Sequence, residues 1–415
     1  MNVLHINSAD NIGGAARAAY RLHTGLQQLG VVSRMLVKEK ATSDPDVQLL
    51  QSSGPFIKLV DRAARVATGL LSLQYLFYPS SFGLPRSAWG READLTNLHN
   101  THGGCFSHTG LPWLSRERPV VWTLHDMWSM TGHCAYSYDC QRWQTGCGSC
   151  PRLSDYPSLQ WDTTALLWKI KNWVYNRSRL TIVTPSRWLA SLASSSPLLS
   201  RFPVHCIPNG LDTKVFRPMA REAARDVLNI ARKGRIILFS AHSLADPRKG
   251  GDLLKAALDR LARTDLSDVS LLVGGQDAEE WQAPACFDVV SLGAVSDDQL
   301  LSACYAAADL FVLPTLADNL PNGPLEAMAC GTPSVSFRVG GVSDAVRHLE
   351  TGYLAPAGDV EGLAHGIRLL LTDDDLRLKL GHRSRQVAEA EYTMELQAKR
   401  YLALYQSLIE ERNAG

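Results

Sequence analysis

The sequence predicts an α/β protein built from two doubly wound parallel sheets, and three observations support this fold class. The 415 residues are more than one hydrophobic core usually holds. Strand-like apolar runs alternate with amphipathic helical stretches through both halves, which is typical of parallel sheets covered by helices. Pro203, Pro208, Gly210 and Pro218 interrupt this alternation in mid-chain. We therefore expect one domain over residues 1–205, a second over 206–395 and a helical tail over 396–415.

Each half is predicted to begin with a strand followed by a helix. In the first half, a strand at 3–7 leads through a loop at 8–14 to a helix at 15–29, and further strands are predicted at 31–37, 95–98, 119–124, 181–184 and 205–208. In the second half, strands are predicted at 236–240, 269–273, 289–292, 310–313 and 334–337. Two such sheets that face each other would place their carboxyl-end loops around one cleft, where sheets of this kind bind ligands.

The bulk composition is that of a globular enzyme, with 45% hydrophobic and 20% charged residues. The formal net charge of +1 argues against a nucleic-acid partner. The chain has no apolar run long enough to span a membrane, and its first residues are interpreted as a strand rather than an export signal. Its nine cysteines then favour reduced thiols or metal ligands over disulfides, and we expect a cytoplasmic protein.

Two acidic residues flank a loop that opens a short helix. Asp318 follows the apolar strand at 310–313, and Glu326 is predicted in the first turn of the next helix. Pro324 suits the first helical position, while Gly331 and Pro333 favour its end. The unpaired N–H groups at a helix start attract phosphate. A ligand with a sugar, a diphosphate and a ribose matches this arrangement.

The spacing of the two acids, followed by Ala-Met-Ala-Cys-Gly-Thr-Pro, resembles the signature of family-4 retaining glycosyltransferases. The resemblance implies the GT-B fold, in which two Rossmann-like domains face each other across a cleft, and a tail that partly packs on the first domain. It implies that Asp318, where the family usually has Glu, contacts the transferred sugar. Glu326 would bind the ribose of a nucleotide diphosphate-sugar. Residues between them are assigned to substrate binding: Asn319, Leu320, Gly323 and Leu325.

Two basic residues are predicted to bind the diphosphate. The step Lys249-Gly250 matches a lysine-glycine step of the family. The family's arginine is replaced by the stretch Ala-His-Ser at 241–243, and we expect Arg248 to take its place because a planar guanidinium suits phosphate oxygens. No catalytic metal is expected.

The first half contributes a glycine turn and a histidine. Gly13 and Gly14 allow close approach of the backbone to a ligand, and the resemblance implies that they approach the donor phosphate. The third glycine of a dinucleotide fingerprint is missing, which argues against NAD. His125 lies just beyond a predicted strand; by resemblance it hydrogen-bonds the sugar or organises charge as the donor bond breaks. His125 and Asp318 are therefore the predicted catalytic residues.

Four of the nine cysteines fall in a predicted insert at 131–151, as Cys134, Cys140, Cys147 and Cys150. Four thiolates would complete a closed tetrahedral zinc site, which is structural rather than catalytic. Buried free thiols, disulfides and an iron–sulfur cluster are the alternatives. The motifs His-Asp-x-Trp at 125–128 and Thr-Gly-His-Cys at 131–134 resemble motifs of exopolysaccharide transferases of the colanic-acid type.

The sequence thus favours a retaining transferase that moves a hexose to a polysaccharide or lipid-linked acceptor. Stretches at 56–78 and 166–179 mix apolar and basic residues, which suits peripheral contact with the inner face of the plasma membrane. A nucleotide-sugar epimerase or hydrolase, and a non-catalytic nucleotide-sugar-binding protein, are the alternatives.

Overall fold

A computed structural model provides the architecture and describes residues 1–50, 55–231, 233–264, 266 and 268–414. The chain forms two compact units: unit 1 comprises Met1–Pro208 and Gln397–Gly415, and unit 2 comprises Asn209–Leu396. Across the described residues, unit 1 has a seven-stranded sheet and unit 2 a six-stranded sheet. The predicted α/β class with two Rossmann-like units is therefore confirmed.

Unit 1 is an open sheet whose neighbouring strands are all parallel. Its strands are β1 (Asn2–Ala9), β2 (Val32–Glu39), β3 (Val47–Leu49), β4 (Leu95–Leu98), β5 (Val120–Thr123), β6 (Thr181–Thr184) and β7 (Val204–Cys206). Its helices are α1 (Gly14–Gln28), α2 (Pro55–Leu70), α3 (Ser80–Gly83), α4 (Ala88–Glu92), α5 (Leu111–Glu117), α6 (Thr164–Tyr175) and α7 (Arg187–Ser195). The order β3-β2-β1-β4-β5-β6-β7 reverses direction between β1 and β4, which is where such a sheet binds ligands.

Unit 2 repeats the plan with the order β10-β9-β8-β11-β12-β13, again all parallel. Its strands are β8 (Arg235–Ser243), β9 (Val269–Gln276), β10 (Asp288–Gly293), β11 (Leu310–Leu313), β12 (Ser334–Phe337) and β13 (Gly352–Ala355). Its helices are α8 (Arg221–Val227), α9 (Gly251–Leu261), α10 (Asp298–Ala307), α11 (Asn322–Ala329), α12 (Val342–Ala345), α13 (Val360–Thr372) and α14 (Asp374–Glu391). Here the order reverses between β8 and β11.

The central strands are buried along their whole length. Every residue of β4, β5, β6, β11 and β12 is buried, because helices cover both faces of a doubly wound sheet. The continuous apolar run Leu-Phe-Val-Leu of β11 reflects this burial on both faces. The short strands β3 and β13 were not predicted.

Helix α11 begins earlier than the sequence predicts. It starts at Asn322 after the extended residue Pro321, so Pro324 is its third residue and Glu326 its fifth, in the second turn instead of the first. A proline is tolerated at the third position because the first four N–H groups of a helix have no partner within it.

The last helix, α15 (Met394–Ala414), belongs to unit 1 from Gln397 onward. Its Tyr405 hydroxyl accepts a hydrogen bond from Asn97 at 2.7 Å, and the Tyr401 hydroxyl lies 3.0 Å from that of Thr123. Both tyrosines are buried against the core of unit 1. Within the described ranges, no helix of either unit has both the length and the hydropathy to cross a bilayer.

Candidate functional site

The loop after β8 positions two basic residues at the point where the sheet of unit 2 reverses. Asp246 caps a short turn over Pro247–Lys249 by accepting the N–H of Arg248 at 2.9 Å. Gly250 then adopts φ 72°, and a Cβ there would lie 1.9 Å from the carbonyl oxygen of Pro314. Only glycine fits such a close approach. The lysine-glycine step therefore holds Lys249 against the end of β11.

Asp318, after β11, joins both basic residues through one oxygen. Its Oδ2 lies 2.6 Å from Lys249 Nζ and 3.2 Å from Arg248 Nη1. Arg248 also contacts Asp246, with Nη2 to Oδ2 at 3.0 Å. The side chains of Arg248, Lys249 and Asp318 are 12–23% exposed, which leaves them within reach of a ligand. We call Lys249, Arg248 and Asp318 the switch-point cluster.

The switch-point cluster keeps its carboxylate ionised. Burial alone would raise the pKa of Asp318, but the charges of Lys249 and Arg248 and the N–H of Asn319 together hold that pKa below its usual value. Asp318 therefore pairs as a carboxylate with both cations and offsets part of their positive charge.

A second glycine fixes the Asp318 loop from the side of β12. Gly340 has φ 49°, and a Cβ there would lie 2.1 Å from the carbonyl oxygen of Asp318. The next N–H, that of Gly341, donates to the same carbonyl at 3.1 Å. The loop between β12 and α12 thus packs directly on the backbone that carries the predicted sugar-binding acid.

Glu326 is 2% exposed, and its Oε2 accepts a hydrogen bond from the Tyr305 hydroxyl at 3.0 Å. Tyr305 lies on α10 and was not identified from the sequence. The structure therefore places the second predicted acid beneath the surface, where a tyrosine orients it.

The other predicted binding residues of this loop have mixed environments. Asn319 is 2% exposed and its N–H donates to Asp318 Oδ1 at 3.1 Å. Leu320 and Leu325 lie in an apolar core cluster, so their side chains pack inside unit 2. A Cβ on Gly323 would lie 2.9 Å from the ring of Phe311, so this glycine lets the start of α11 approach β11.

In unit 1, the predicted glycine turn lies where β1 leads into α1. Gly13 is the residue before the helix, with φ 85°, and Gly14 is the first helical residue. A Cβ on Gly13 would have no atom within 4 Å. This space leaves the start of α1 open to close approach.

His125 follows β5 and forms the outer end of a row of three histidines. Its Nε2 lies 3.2 Å from Nδ1 of His99, and Nε2 of His99 lies 3.0 Å from Nδ1 of His5. The neighbouring Asp126 bonds His102 instead, with Oδ2 to Nε2 at 2.6 Å. His5 and His99 were not singled out from the sequence. The signal available was their place on or just after β1 and β4, the strands next to β5.

The four insert cysteines line one small pocket together with His133. The N–H of Gly132 donates to Cys147 Sγ at 3.2 Å, and His133 Nε2 lies 3.4 Å from Cys150 Sγ. Burial raises the pKa of Cys134 to about 12 and that of Cys147 to about 11. None of the nine cysteines forms a disulfide with another described residue. Among the described residues, no three His, Cys, Asp or Glu side chains form a ready-made metal site.

The sequence matches two glycosyltransferase families. Residues 12–215 match the family described as Glycosyltransferase Family 4, and residues 234–373 match Glycosyl transferases group 1. The protein of Escherichia coli (strain K12) named "Putative colanic acid biosynthesis glycosyl transferase WcaC" is 27% identical over 84% of this chain and 85% of its own length. The D-inositol 3-phosphate glycosyltransferase 1 of Catenulispora acidiphila is 31% identical over 50% of this chain and 52% of its own.

Solved structures agree on the fold. Sucrose-phosphate synthase from Thermosynechococcus elongatus superposes with a TM-score of 0.70 at 20% identity, covering 99% of this chain and 100% of the other. HepE of Anabaena, solved with UDP-glucose, gives 0.64 at 16% identity over 98% and 100% of the two chains. With a family match on each of its two Rossmann-like units, the chain belongs to the group 1 and family 4 glycosyltransferases of GT-B fold.

Proposed function

We propose that this glycosyltransferase moves a hexose, with retention of anomeric configuration, from a nucleotide diphosphate-sugar to a saccharide or lipid-linked acceptor. The observation that carries the proposal is the switch-point cluster, where Lys249 and Arg248 share Asp318. Two cations at the carboxyl ends of parallel strands suit a diphosphate, and a carboxylate beside them suits sugar hydroxyls. The binding of UDP-glucose by HepE, a relative in fold, is in keeping with this donor class.

The cluster would change partners when the donor binds. The diphosphate engages Lys249 and Arg248, and Asp318 is released to accept hydrogen bonds from the sugar. As the bond from the anomeric carbon to the diphosphate oxygen breaks, both cations stabilise the charge that develops on that oxygen. The acceptor hydroxyl adds on the same face and gives its proton to the departing oxygen, so no protein nucleophile is required.

Two further residues have supporting parts in this scheme. We assign the ribose hydroxyls to Glu326, which the Tyr305 hydroxyl orients from beneath. We assign a hydrogen bond to the reacting sugar to His125, which lies just beyond β5 and is partly exposed.

A thermal-shift screen of UDP-, GDP- and ADP-sugars tests donor binding, because a ligand at one hundred times its Kd stabilises a fold by about 2.7 kcal/mol. Lys249→Ala should lose this stabilisation. Lys255→Ala is the matched control, since Lys255 lies on α9 and pairs only weakly with Asp252 at 3.7 Å. Equal stabilisation of both variants by the best donor would overturn the assignment.

The identified donor then distinguishes the reaction classes. Transfer with retention gives a glycoside of unchanged anomeric configuration by NMR when an oligosaccharide acceptor is supplied. Release of free sugar without any acceptor-dependent product would identify a hydrolase, and a changed sugar on an intact nucleotide an epimerase. Binding without turnover in any condition would identify a non-catalytic binding protein.

We also propose that α2 rests on the cytoplasmic face of an anionic membrane, where a lipid-linked acceptor would lie. Phe56, Leu59 and Leu70 on this helix are 63–76% exposed, and Arg62 and Arg65 are exposed on the same helix. Exposed apolar and basic residues on one helix suit the lipid interface. Nine cysteines without a disulfide between described residues suit a reducing compartment.

Sedimentation with vesicles tests the membrane proposal. Phosphatidylcholine vesicles that contain phosphatidylglycerol should bind the protein, and the double variant Phe56→Ser/Leu59→Ser should stay in the supernatant. Leu378→Ser is the control, because Leu378 is 62% exposed on α14. Retention of binding by the double variant would refute contact through α2.

We further propose that the cysteine insert holds a structural zinc ion. Its support is the chemistry of four thiols around one pocket, with the two buried main-chain carbonyls of Trp128 and Thr131 anchored nearby by Lys171 at 2.5 and 3.0 Å. The side chains of the four cysteines would have to rotate toward a common centre to bind the zinc ion. Elemental analysis should find about one zinc per chain, lost in Cys147→Ser and kept in the exposed-site control Cys286→Ser. If wild-type protein freed of zinc were as stable as untreated wild-type protein, the proposal would be refuted.

A further inference from the structure

Three histidines form a continuous hydrogen-bonded row across neighbouring strands of unit 1. His5 lies on β1, His99 directly follows β4, and His125 lies two residues beyond β5. These strands are adjacent in the sheet. The row begins at His5, which is 0% exposed, continues through His99 at 2%, and ends at the partly exposed His125.

The row is uncharged at neutral pH. Burial lowers the pKa of His5 and that of His99 well below the usual value. His23, whose ring lies edge-on to that of His5 with the centroids 6.2 Å apart, lowers the pKa of His5 further. His5 and His125 lower that of His99. Burial also lowers the pKa of His125 to about 4, although Asp126 acts in the opposite direction. A neutral imidazole has one donor nitrogen and one acceptor nitrogen. Each ring in the row is therefore restricted to a single tautomer once the direction of one bond is known.

The inner end of the row decides that direction. Nε2 of His5 is buried and has no hydrogen-bond partner among the residues that the structure describes. Among backbone groups, orphaned N–H donors in protein interiors are rarer than under-satisfied acceptors, and we apply the same order to the ring nitrogen of His5. His5 is then protonated on Nδ1 and donates to His99, which in turn donates from Nδ1 to Nε2 of His125.

We propose that this row fixes His125 as the Nδ1–H tautomer, so that it presents a hydrogen-bond donor, not a base, to its substrate. His99 is then a positioning residue that acts through His125. This inference rests on the proposed function only for the identity of the substrate, which would be the sugar of the donor. The tautomer itself is a property of unit 1 without any ligand.

Nitrogen-15 NMR of histidine-labelled protein tests the tautomers directly. The expected result is Nδ1–H for all three rings, the minority form of free neutral histidine. Two rings in the same spectrum serve as references: His348 accepts the Leu354 N–H on Nδ1 at 3.1 Å and must be Nε2–H, while His133 bonds the Pro157 carbonyl through Nδ1 at 2.9 Å and must be Nδ1–H. An Nε2–H signal from His125 would overturn the proposal, whether or not the protein transfers sugar.

Variants of His99 test whether it sets the tautomer. His99→Leu removes the donor to His125, which should revert to Nε2–H and lose at least tenfold in kcat with KM for the donor changed less. His99→Gln keeps a donor and an acceptor near both neighbours, so it should restore the Nδ1–H signal and much of the rate. An unchanged His125 signal in His99→Leu would refute the positioning role. If that variant does not fold, the wild-type spectrum still decides the direction of the row.

If the wild-type protein transfers no sugar but shows three Nδ1–H signals, the proposed function is refuted and this inference stands. Full activity together with an Nε2–H signal from His125 would do the reverse.

Discussion

Replacing Asp318 with Asn should tighten the binding of a nucleoside diphosphate while it weakens sugar transfer. In the donor-free protein the Asp318 carboxylate holds Lys249 and Arg248 at 2.6 and 3.2 Å. An incoming diphosphate must compete with these contacts and approaches a like charge. Asn removes the charge but keeps the shape of the side chain, so the cations become more available to phosphate.

The magnitude follows from the contacts that are lost. A hydrogen bond to a charged group contributes about 1.5–3 kcal/mol, and Asp318 makes two such contacts while 12% exposed. Phosphate replaces the Asp318 contacts of both cations. We therefore expect the substitution to improve the free energy of diphosphate binding by the equivalent of about one contact. Since about 1.4 kcal/mol corresponds to tenfold in Kd, the lower end of this range predicts that the diphosphate binds at least about tenfold more tightly.

Isothermal titration with the nucleoside diphosphate, and separately with the intact nucleotide sugar, measures this difference. The sugar-bearing ligand should gain less than the diphosphate, because Asn accepts hydrogen bonds from its hydroxyls less strongly than a carboxylate does. Turnover should fall by at least tenfold.

Asp246→Asn is the matched control. Asp246 also contacts Arg248, at 3.0 Å, but it is 36% exposed, and the interaction of such an exposed pair is weakened by solvent. Its capping oxygen survives as an amide oxygen. We expect less than about a twofold change in Kd. Weaker diphosphate binding in Asp318→Asn, or equal effects in both variants, would refute the competition.

Three further outcomes follow from the same site. Gly340→Ala should reduce kcat/KM at least tenfold, because its Cβ would collide with the Asp318 carbonyl at 2.1 Å; Gly358→Ala, with the same left-handed backbone but nothing within 4 Å, should leave kcat/KM unchanged. Tyr305→Phe should lower the free energy of unfolding by about 2 kcal/mol in denaturant titrations, since buried Glu326 loses a donor; an unchanged midpoint would contradict this. Because the folded pKa of Asp318 is depressed, its stabilisation is complete above the unfolded pKa of about 3.9 and is lost as pH falls through the folded value. The stability difference between wild type and Asp318→Asn should therefore be constant above about pH 5 and shrink in acid, and a constant difference down to acid unfolding would contradict the pairing.

The fold class was predictable because burial on both faces of a sheet leaves continuous apolar runs in the sequence. The strands β8, β9 and β11 were located in this way, as was the alternation with helices that specifies parallel pairing. The start of α11 was placed wrongly because Pro324 was assigned to the first helical position, whereas a proline also fits the third. Short edge strands such as β3 left too little pattern to detect.

The candidate site was predictable only in part. Local sequence indicated Lys249 and Asp318, because each follows a strand next to a glycine or a helix start. It did not indicate that their charges pair with each other. It placed Glu326 in the first turn of α11, whereas the residue lies in the second turn and is buried beside Tyr305. The side chains of Leu320 and Leu325 also lie in the core of unit 2 and not at its surface. Whether a side chain near a motif faces solvent or the interior depends on the helix packed above it.

The order of strands in the sheet determines which distant polar residues contact each other, and the local sequence does not show these contacts. In a doubly wound sheet the chain returns to the middle after its first run of strands, so the loops after β8 and β11 meet although about 70 residues separate them. The contact between Lys249 and Asp318 follows from that order. In unit 1 the same reversal places β1 beside β4, and His5 meets His99 through it. In each unit, therefore, polar residues that are far apart in the sequence meet across the point where the strand order reverses.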